Sequence, residues 1–384
     1  MSWEIPQISN AEKEAVWKAF NERKPIRVPV SISSNPRIVV LDPKLNRTGV
    51  TFEQIFNDPR VMMEAWIGHE HHRRMVINRY CDSPTGLPEQ WTASVSWLNT
   101  HEAAFFGAAW HFREGQIPDT QPFLTAVNRE SIFDVDIDRP IENPLSKRGL
   151  RFYEEMGKIA KDYVFHGRPV KVGRYEQAGT DGPLTTGMNL RGTDMMTDMA
   201  EDPEYAERLL DRLTDAAIKR VHAWRKYWND ESLGGGLADD SIQLISTPMY
   251  KRMVMPRHKR YLDEFAPDKP RGIHLCGDVM RHMKTLRDEL NVQTWDSGFP
   301  VDFTRMRREL GPGVQINGGP GIMLLRHGTA QQVYDRTCEI LDSGVKTGGR
   351  FVLTEANNLP PRVPEENLAA MYKAALDKGR YDAS

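Results

Sequence analysis

Hydrophobic residues in the second half of the chain follow two spacings, one typical of helices and the other typical of buried strands. After Asp202 and Pro203, apolar residues recur at helical spacing as far as Trp224, which predicts an amphipathic helix. A second helix is predicted from Thr329 to about Gly344. Short apolar runs bounded by glycine or charged residues are typical of buried parallel strands, and such runs occur at residues 272–275, 314–317 and 349–353. This alternation predicts a parallel sheet covered by helices.

The first 150 residues show a less regular pattern. Residues 26–30 predict a first strand, and the segments that follow combine helical spacing with many aromatic side chains. We interpret these segments as an elaborated, mostly helical extension around one end of the sheet. A chain of 384 residues, of which 39% are hydrophobic, is long enough for two domains or for one large α/β barrel.

The composition argues against several classes of partner. The formal net charge is -2 and charges of both signs are interspersed, which is not typical of a nucleic-acid-binding surface. No apolar stretch approaches the roughly 20 residues that a membrane helix needs, and the first residues do not resemble a signal peptide. Three scattered cysteines do not form a disulfide framework. We therefore expect a cytoplasmic enzyme that acts on a small molecule, without a membrane or nucleic-acid partner, and a homodimer remains open.

The segment from Gly272 to Asp278 places a histidine and a cysteine two positions apart at the end of a predicted strand. Residues i and i+2 of a strand point to the same side, so His274 and Cys276 can converge on one point. Imidazole and thiolate are both good ligands for zinc. Two ligands do not complete a zinc site, so further ligands are expected on neighbouring strands.

Other polar residues follow the predicted strands, where the functional side chains of an α/β barrel lie. They are Arg174, Tyr175, Glu176, Asp239, Asp240, Trp295, Asp296, Asn317 and Glu355, together with Asn357 in the last loop. Polar residues at so many successive strand ends are hard to explain by packing alone. They predict a pocket at the carboxyl ends of the strands.

The order of the motifs in this half of the chain resembles that of the uroporphyrinogen decarboxylase superfamily. The motifs are His-Leu-Cys-Gly-Asp at 274–278, Trp-Asp-Ser at 295–297, Asn-Gly-Gly-Pro at 317–320, His-Gly-Thr at 327–329 and Gly-Gly-Arg-Phe-Val-Leu at 348–353. The chain looks most like the branch of cobalamin-linked methyltransferases, of the coenzyme M methyltransferase and corrinoid O-demethylase type. The resemblance implies a single (β/α)8 TIM barrel over residues 1–384, with the first strand and the helical extension in 1–150 and regular βα units in 150–384.

The resemblance to the decarboxylases themselves is weaker at the substrate-binding arginines. Uroporphyrinogen decarboxylases carry an arginine-rich motif near the first strand, which pairs with substrate carboxylates, whereas the segment after Val30 holds only Arg37. A porphyrinogen with many carboxylates needs several bidentate arginine partners, so a decarboxylase is the runner-up. In a decarboxylase of a smaller acid, the carboxylate would be held by Arg37, Arg174 or Arg191.

The chain also departs from the coenzyme M methyltransferases at one zinc ligand. Their third ligand is a cysteine after the last strand, and alignment of this loop places Asn357 there. Asparagine is a poor zinc ligand, and the helical spacing around Cys338 predicts a buried thiol elsewhere. An oxygen donor would then complete the site, with Asp240 as our first choice and Glu355, Asp239 and Glu176 as alternatives.

Zinc with one thiolate and carboxylate oxygens is a harder Lewis acid than zinc with two thiolates. We therefore expect demethylation of a small methoxylated compound or methylamine, with the methyl group passed to a partner corrinoid protein that carries methylcobalamin. In this hypothesis the metal ligands are His274, Cys276, Asp240 and Glu355. The candidate catalytic residues are Asp240, Asp296, Asn317 and Glu176, and the candidate substrate-binding residues are Tyr175, Arg174, Asp239, Asn357 and Trp295. A metal-free barrel that binds a small ligand is the alternative from another class.

Overall fold

The computed structural model describes residues 3–381 of the chain. The strands are β1 (Trp91–Ala93), β2 (Trp110–His111), β3 (Asp119–Thr120), β4 (Val164–Phe165), β5 (Arg168–Val172), β6 (Arg271–Leu275), β7 (Val292–Ser297), β8 (Gln315–Gly318) and β9 (Phe351–Leu353). The helices are α1 (Asn10–Asn21), α2 (Arg37–Val40), α3 (Phe52–Asn57), α4 (Pro59–Met75), α5 (His101–Phe105), α6 (Pro144–Ala160), α7 (Pro183–Arg191), α8 (Asp194–Glu201), α9 (Pro203–Trp228), α10 (Thr247–Met249), α11 (Met255–Phe265), α12 (Met283–Leu290), α13 (Phe303–Leu310), α14 (Ile322–His327), α15 (Ala330–Asp342) and α16 (Glu365–Lys378). Within residues 3–381, no helix combines the length and the hydrophobicity needed to span a membrane.

Backbone pairing between neighbouring strands follows the order of a (β/α)8 barrel. β1 pairs in parallel with β5, and the segment that continues β5 pairs through Thr180 with Leu237. The next residue pairs with His274 of β6, and β6, β7, β8 and β9 follow one another in parallel. Leu353 of β9 then pairs with Val30 in the predicted first strand. The chain thus has the strand order of a TIM barrel, as the resemblance implies, and pairing of the Val30 segment with β1 is not found within residues 3–381.

The predicted helices begin where their sequence signals place them. α9 starts after Asp202, whose side chain accepts a hydrogen bond from the Tyr205 amide. α15 starts after Thr329, which forms a capping box with Gln332. Each of these helices buries one apolar side, as expected for amphipathic helices that cover a barrel.

The first part of the chain forms a mostly helical extension, as predicted, and its aromatic side chains cluster together. The ring of Phe56 lies edge-on to those of Trp97, Trp110 and Phe112, with centroid separations of 5.4, 5.0 and 5.4 Å. Trp97 also contacts Phe152 of α6. Edge-to-face pairs stabilise a cluster beyond the area that it buries. The extension therefore holds Trp97 firmly beside the strands that follow it.

A buried ion pair joins the predicted first strand to the segment after α4, and a hydroxyl of the last helix binds to it. Two guanidinium nitrogens of Arg27 donate to the carboxylate of Asp82, at 2.7 and 2.6 Å. The same carboxylate accepts hydrogen bonds from the Val30 amide at 2.8 Å and from the Tyr372 hydroxyl at 2.7 Å. Loss of Asp82 would leave Arg27 as an unpaired cation inside the protein, which is costly.

We predict that Asp82→Ala lowers the free energy of unfolding by about 3 to 5 kcal/mol, because it leaves the Arg27 charge buried and unpaired. Urea-induced unfolding followed by circular dichroism measures the change. Asp288→Ala is the control, since Asp288 pairs with Arg287 on the surface, and no measurable change is expected for it. Equal unfolding midpoints for the two variants would contradict a structural role for the buried pair.

Candidate functional site

Three ligand-bearing side chains converge at the carboxyl end of the sheet. His274 lies on β6, Cys276 directly follows this strand, and Asp240 begins a short turn that leads away from Leu237. Within the described part of the chain, one ligand atom from each of the three lies within 4.8 Å of the others. The Cys276 sulfur lies 3.3 Å from Nε2 of His274. Nitrogen and sulfur ligands of one tetrahedral zinc ion lie about 3.6 Å apart, so the spacing fits a shared ion.

Backbone contacts hold Cys276 and Asp240 together. The Cys276 amide donates to Oδ1 of Asp240 at 2.6 Å, which fixes the carboxylate beside the cysteine. Gly277 has a φ of +81° and lets the chain turn directly after the cysteine. A Cβ atom at Gly298 would lie 2.8 Å from the Cys276 Cα, so any side chain there would displace the cysteine. These contacts fix the relative positions of the two candidate ligands.

A carboxylate orients the His274 ring from its other side. Nδ1 of His274 donates to Oδ2 of Asp296 at 2.8 Å, and β6 and β7 bring the two residues into direct register. This contact leaves Nε2 to face the sulfur of Cys276. The hydrogen bonds to Asp296 and to Cys276 raise the pKa of His274 to about 11, so a metal ion would displace a proton from the ring. Zinc-binding histidines commonly donate their second N–H to a carboxylate in this way.

A polar residue on the next strand, β8, lies beside Asp296. Asn317 of β8 is in register with Asp296, and its side-chain oxygen accepts a hydrogen bond from Gln315 at 3.0 Å. The structure thus places His274, Asp296 and Asn317 at one level across three adjacent strands.

Glu355 and Asn357, which follow β9, lie outside the convergent group. Glu355 is buried, and its two carboxylate oxygens accept from the Ser33 amide at 3.0 and 3.2 Å. Burial raises the pKa of Glu355 well above its usual value. Among the described residues, Glu355 is not one of the three whose ligand atoms lie within 4.8 Å of one another, so the expectation that it completes the metal site is corrected. Asn357 is exposed in the loop.

Asp239 is placed for structural support rather than for substrate contact. Its carboxylate is fully buried and accepts hydrogen bonds from the amides of Leu184 and Thr185 at 3.1 and 2.8 Å. It also accepts from the Thr185 hydroxyl at 2.8 Å and from Nε2 of His258 at 2.9 Å. The Asp239 carboxylate therefore binds the first turn of α7. Because protein donors surround this carboxylate, a substrate cannot contact it.

Two other predicted substrate contacts also lie away from the convergent group. Trp295 has no exposed surface, because the alternation along β7 turns it to the face opposite that of Asp296. Arg174 forms an ion pair with Asp230 at 2.8 Å with half of its side chain exposed, and its guanidinium lies over the Trp228 ring. Both expectations are corrected, since the first side chain is in the core and the second pairs at the surface.

A cavity of about 400 Å³ lies beside the convergent group. Its wall includes His274, Trp97 and two of the predicted residues, Tyr175 and Glu176. Nε1 of Trp97 donates to the Tyr175 hydroxyl at 3.1 Å, and Oε2 of Glu176 accepts from the Ala178 amide at 2.6 Å. The cavity therefore combines an aromatic wall with a carboxylate, next to the metal-type ligands. Its volume suits a small molecule.

The same cavity is lined by His101 and Asp181, which the sequence does not single out. Asp181 precedes Gly182, whose φ of +85° and close approach to Asp239 mark a constrained turn. That glycine, followed by Pro183, is the one signal in the sequence that could point to Asp181. His101 opens α5 in the aromatic extension, where the pattern shows no strand end, so nothing in the sequence points to it.

Comparisons with known proteins agree with this architecture. The family model described as uroporphyrinogen decarboxylase (URO-D) matches residues 102–377, well over half of the chain. Among solved structures, a methyltransferase from Methanosarcina mazei is similar, with a TM-score of 0.63 and 15% sequence identity over 96% of this chain and 99% of that chain. A structure described as a vitamin-B12-independent methionine synthase from Listeria monocytogenes has a TM-score of 0.41 and 13% identity, over 91% of this chain and 96% of that chain. No curated protein matches the sequence.

One of these comparisons concerns the fold of the chain, and another concerns its sequence family. At its low sequence identity, the Methanosarcina structure establishes a common fold over nearly the whole of both chains. The family model matches by sequence, and the matched residues include the convergent group and most of the cavity wall. The chain therefore belongs to the uroporphyrinogen decarboxylase family.

Proposed function

We propose that this protein is a zinc-dependent methyltransferase that moves a methyl group from a small methoxylated compound or methylamine to a corrinoid protein. The observation that carries this proposal is the convergence of His274, Cys276 and Asp240 beside an aromatic-walled cavity at the barrel mouth. Family membership and the likeness to a structure named as a methyltransferase support it.

The donor set of the convergent group suits zinc. One imidazole, one thiolate and one carboxylate would take three positions of a tetrahedral ion and leave the fourth open for substrate, as in catalytic zinc sites. Asp296 would fix the His274 ring through the hydrogen bond to Nδ1. A zinc ion held here would supply Lewis-acid polarisation of a substrate oxygen or nitrogen.

The single thiol in the group favours a donor whose methyl is bound to oxygen or nitrogen over a reaction that methylates a thiol. Cys81 is buried within 3.9 Å of the Asn78 side chain. Cys338 lies on α15 as predicted but is partly exposed and not buried, and neither cysteine belongs to the group of described residues that includes Cys276. Asn357, at the position where the resemblance to coenzyme M methyltransferases implies a cysteine, is exposed. An ion with one thiolate and one carboxylate is harder and therefore better suited to an ether oxygen.

The cavity residues would position the methyl donor. Trp97 and Tyr175 line the cavity and offer aromatic surface for a flat methoxylated ring. Glu176 presents a carboxylate that can accept a hydrogen bond from a hydroxyl or ammonium group. Asn317 is in register with Asp296 and would help to orient the Asp296 carboxylate.

Docking of a corrinoid protein is supported by exposed apolar side chains in the segments that follow the strands. Leu244 is 57% exposed at the end of the turn that begins at Asp240, Phe299 is 40% exposed after β7, and Met323 is 60% exposed on α14, the helix after β8. Each follows the carboxyl end of a strand, toward that rim of the barrel, where exposed apolar groups can contribute to an interaction surface. We propose that this rim receives the partner, so that its corrinoid can reach the methyl donor.

Decarboxylation is less well supported because the arginines proposed to hold a carboxylate are engaged elsewhere. Arg174 pairs with Asp230. Arg191 is buried and donates to Asp198 at 2.7 Å. Arg37 donates to the carbonyl of Asn358 at 2.7 Å. A decarboxylase would need at least one of them to turn toward its substrate.

We expect the zinc-loaded protein to convert cob(I)alamin to methylcobalamin when a methoxylated aromatic compound or a methylamine is supplied, because the cavity and the proposed ion serve that donor. The absorbance spectrum follows the corrinoid, and chromatography measures the demethylated product. Cys276→Ser is expected to lose most of this activity. Methylation of a thiol by methylcobalamin, with no demethylation of any donor, would contradict the proposed direction.

We predict that protein purified without chelators contains about one zinc per chain, measured by inductively coupled plasma mass spectrometry. Cys276→Ser and Asp240→Asn are expected to lower the zinc content, because each removes a ligand. Cys338→Ser is the matched control and should keep its zinc. A folded wild-type protein that binds no zinc on titration would reject the metal site and leave a metal-free ligand-binding barrel as the interpretation.

Asp296→Ala is expected to weaken zinc affinity by about 10- to 100-fold, because it removes the carboxylate that orients His274. Competition with a chromophoric chelator at fixed pH measures the affinity. Asp288→Ala, on the surface of α12, controls for the loss of one negative charge. If the two variants bind zinc equally well, Asp296 does not act through the histidine.

A further inference from the structure

His101 and Asp181 form a second group in the cavity, which the proposed metal site does not use. Both line the cavity together with His274. In the described part of the chain, one ligand-type atom each of His101, Glu102 and Asp181 lies within 4.8 Å of the others. Such a group of side chains could either bind an ion or transfer a proton.

Glu102 is already committed to protein partners, so the group does not suit a second metal ion. One carboxylate oxygen is bound by the guanidinium of Arg220. The other accepts from the Thr180 and Thr186 hydroxyls at 3.0 Å each and from the Asp181 amide at 2.7 Å. Burial alone would raise its pKa, but the Arg220 charge keeps the pKa of Glu102 below its usual value. Glu102 is thus a fixed negative charge.

The side chain of Asp181 has a different environment. Among the described residues no hydrogen bond donor contacts its carboxyl group, which is partly exposed to the cavity. Its charged and titratable neighbours are His101, Glu102, Arg220 and Asp240. Burial, together with the negative charge of Glu102, raises the pKa of Asp181 to about 6. A carboxyl group in this range can give up a proton near neutral pH.

Among residues 3–381, only one ring nitrogen of His101 forms a hydrogen bond. Nδ1 lies 3.3 Å from the Leu98 carbonyl, which can only accept, so Nδ1 carries the proton of this contact. The other nitrogen, Nε2, is left to accept or carry a second proton. Ligand-type atoms of His101 and Asp181 lie within 4.8 Å of each other at the cavity wall, a separation that one bridging water can span.

We propose that Asp181 is the catalytic acid that protonates the leaving oxygen of a methyl aryl ether, and that His101 returns a proton to Asp181 after each turnover. This inference rests on the proposed methyltransferase function. In the step, the corrinoid of the partner supplies the electron pair of the new bond to the methyl carbon. The pair of the broken carbon–oxygen bond stays on the oxygen, and the proton of the Asp181 carboxyl group moves to that oxygen. The products are a methylated corrinoid, a phenol and the Asp181 carboxylate.

The experiment compares wild type and Asp181→Asn, both zinc-loaded, in methyl transfer from a series of methyl aryl ethers to cob(I)alamin. For ethers of unsubstituted phenols, whose pKa is about 10, we expect a loss of about 10²- to 10⁴-fold in kcat/KM. For nitro-substituted ethers, whose phenolates leave without a proton, the loss should be much smaller. Asp181→Glu should retain a measurable part of the activity with unsubstituted ethers.

Zinc content and thermal unfolding of Asp181→Asn verify that the variant is folded and loaded, and Asp288→Asn controls for charge. The same fold-loss across the whole ether series, or no loss at all, would overturn the assignment of Asp181 as the acid while leaving the methyltransferase intact. A wild-type protein that demethylates no ether would instead reject the proposed function, and the acid role with it.

Discussion

The parallel register of β6, β7 and β8 is the constraint on which the whole site depends. It sets His274 opposite Asp296 and Asp296 opposite Asn317, so the hydrogen bond that orients the histidine follows from strand pairing. A slip of one residue would turn each side chain to the other face and would bring buried Trp295 into the place of Asp296. The direction of Nε2 toward Cys276 is thus a property of the sheet and not of a mobile loop.

The neighbouring residues Asp239 and Asp240 have different roles, because their side chains bind different parts of the protein. Asp239 points into the protein and binds the first turn of α7, where a negative charge is favoured by the helix dipole. Asp240 instead accepts a hydrogen bond from the Cys276 amide. Because Asp239 also packs against Gly182, the turn that carries Asp181 is fixed to the same strand end as the candidate metal ligand. The segments that carry the proposed acid and the proposed metal ligands are therefore held side by side by the pairing of Thr180 with Leu237 and of Ala238 with His274.

The sequence predicts the elements of the barrel and the convergence of His274 with Cys276, because both depend on short-range periodicity. The i, i+2 rule is enough to pair His274 with Cys276, and the motif order places Asp240 nearby. The expectations that were wrong concern burial and long-range side-chain partners, which the spacing of hydrophobic residues does not predict. Trp295 lies within β7 and not after it, and Asp239 follows a strand as expected. Both are buried, because each side chain packs into the protein and not toward the cavity. Arg174 is engaged by Asp230, a partner 56 residues away, and His101 reaches the cavity only through the folding of the helical extension.

The central claim is that one thiolate, one imidazole and one carboxylate share an ion at this barrel mouth. X-ray absorption at the zinc K-edge of the loaded protein tests it most directly, because sulfur is distinguished from nitrogen and oxygen by distance. The account predicts one sulfur at about 2.3 Å and the other ligands at about 2.0 to 2.2 Å. Two or more sulfur ligands per zinc, or none, would contradict it.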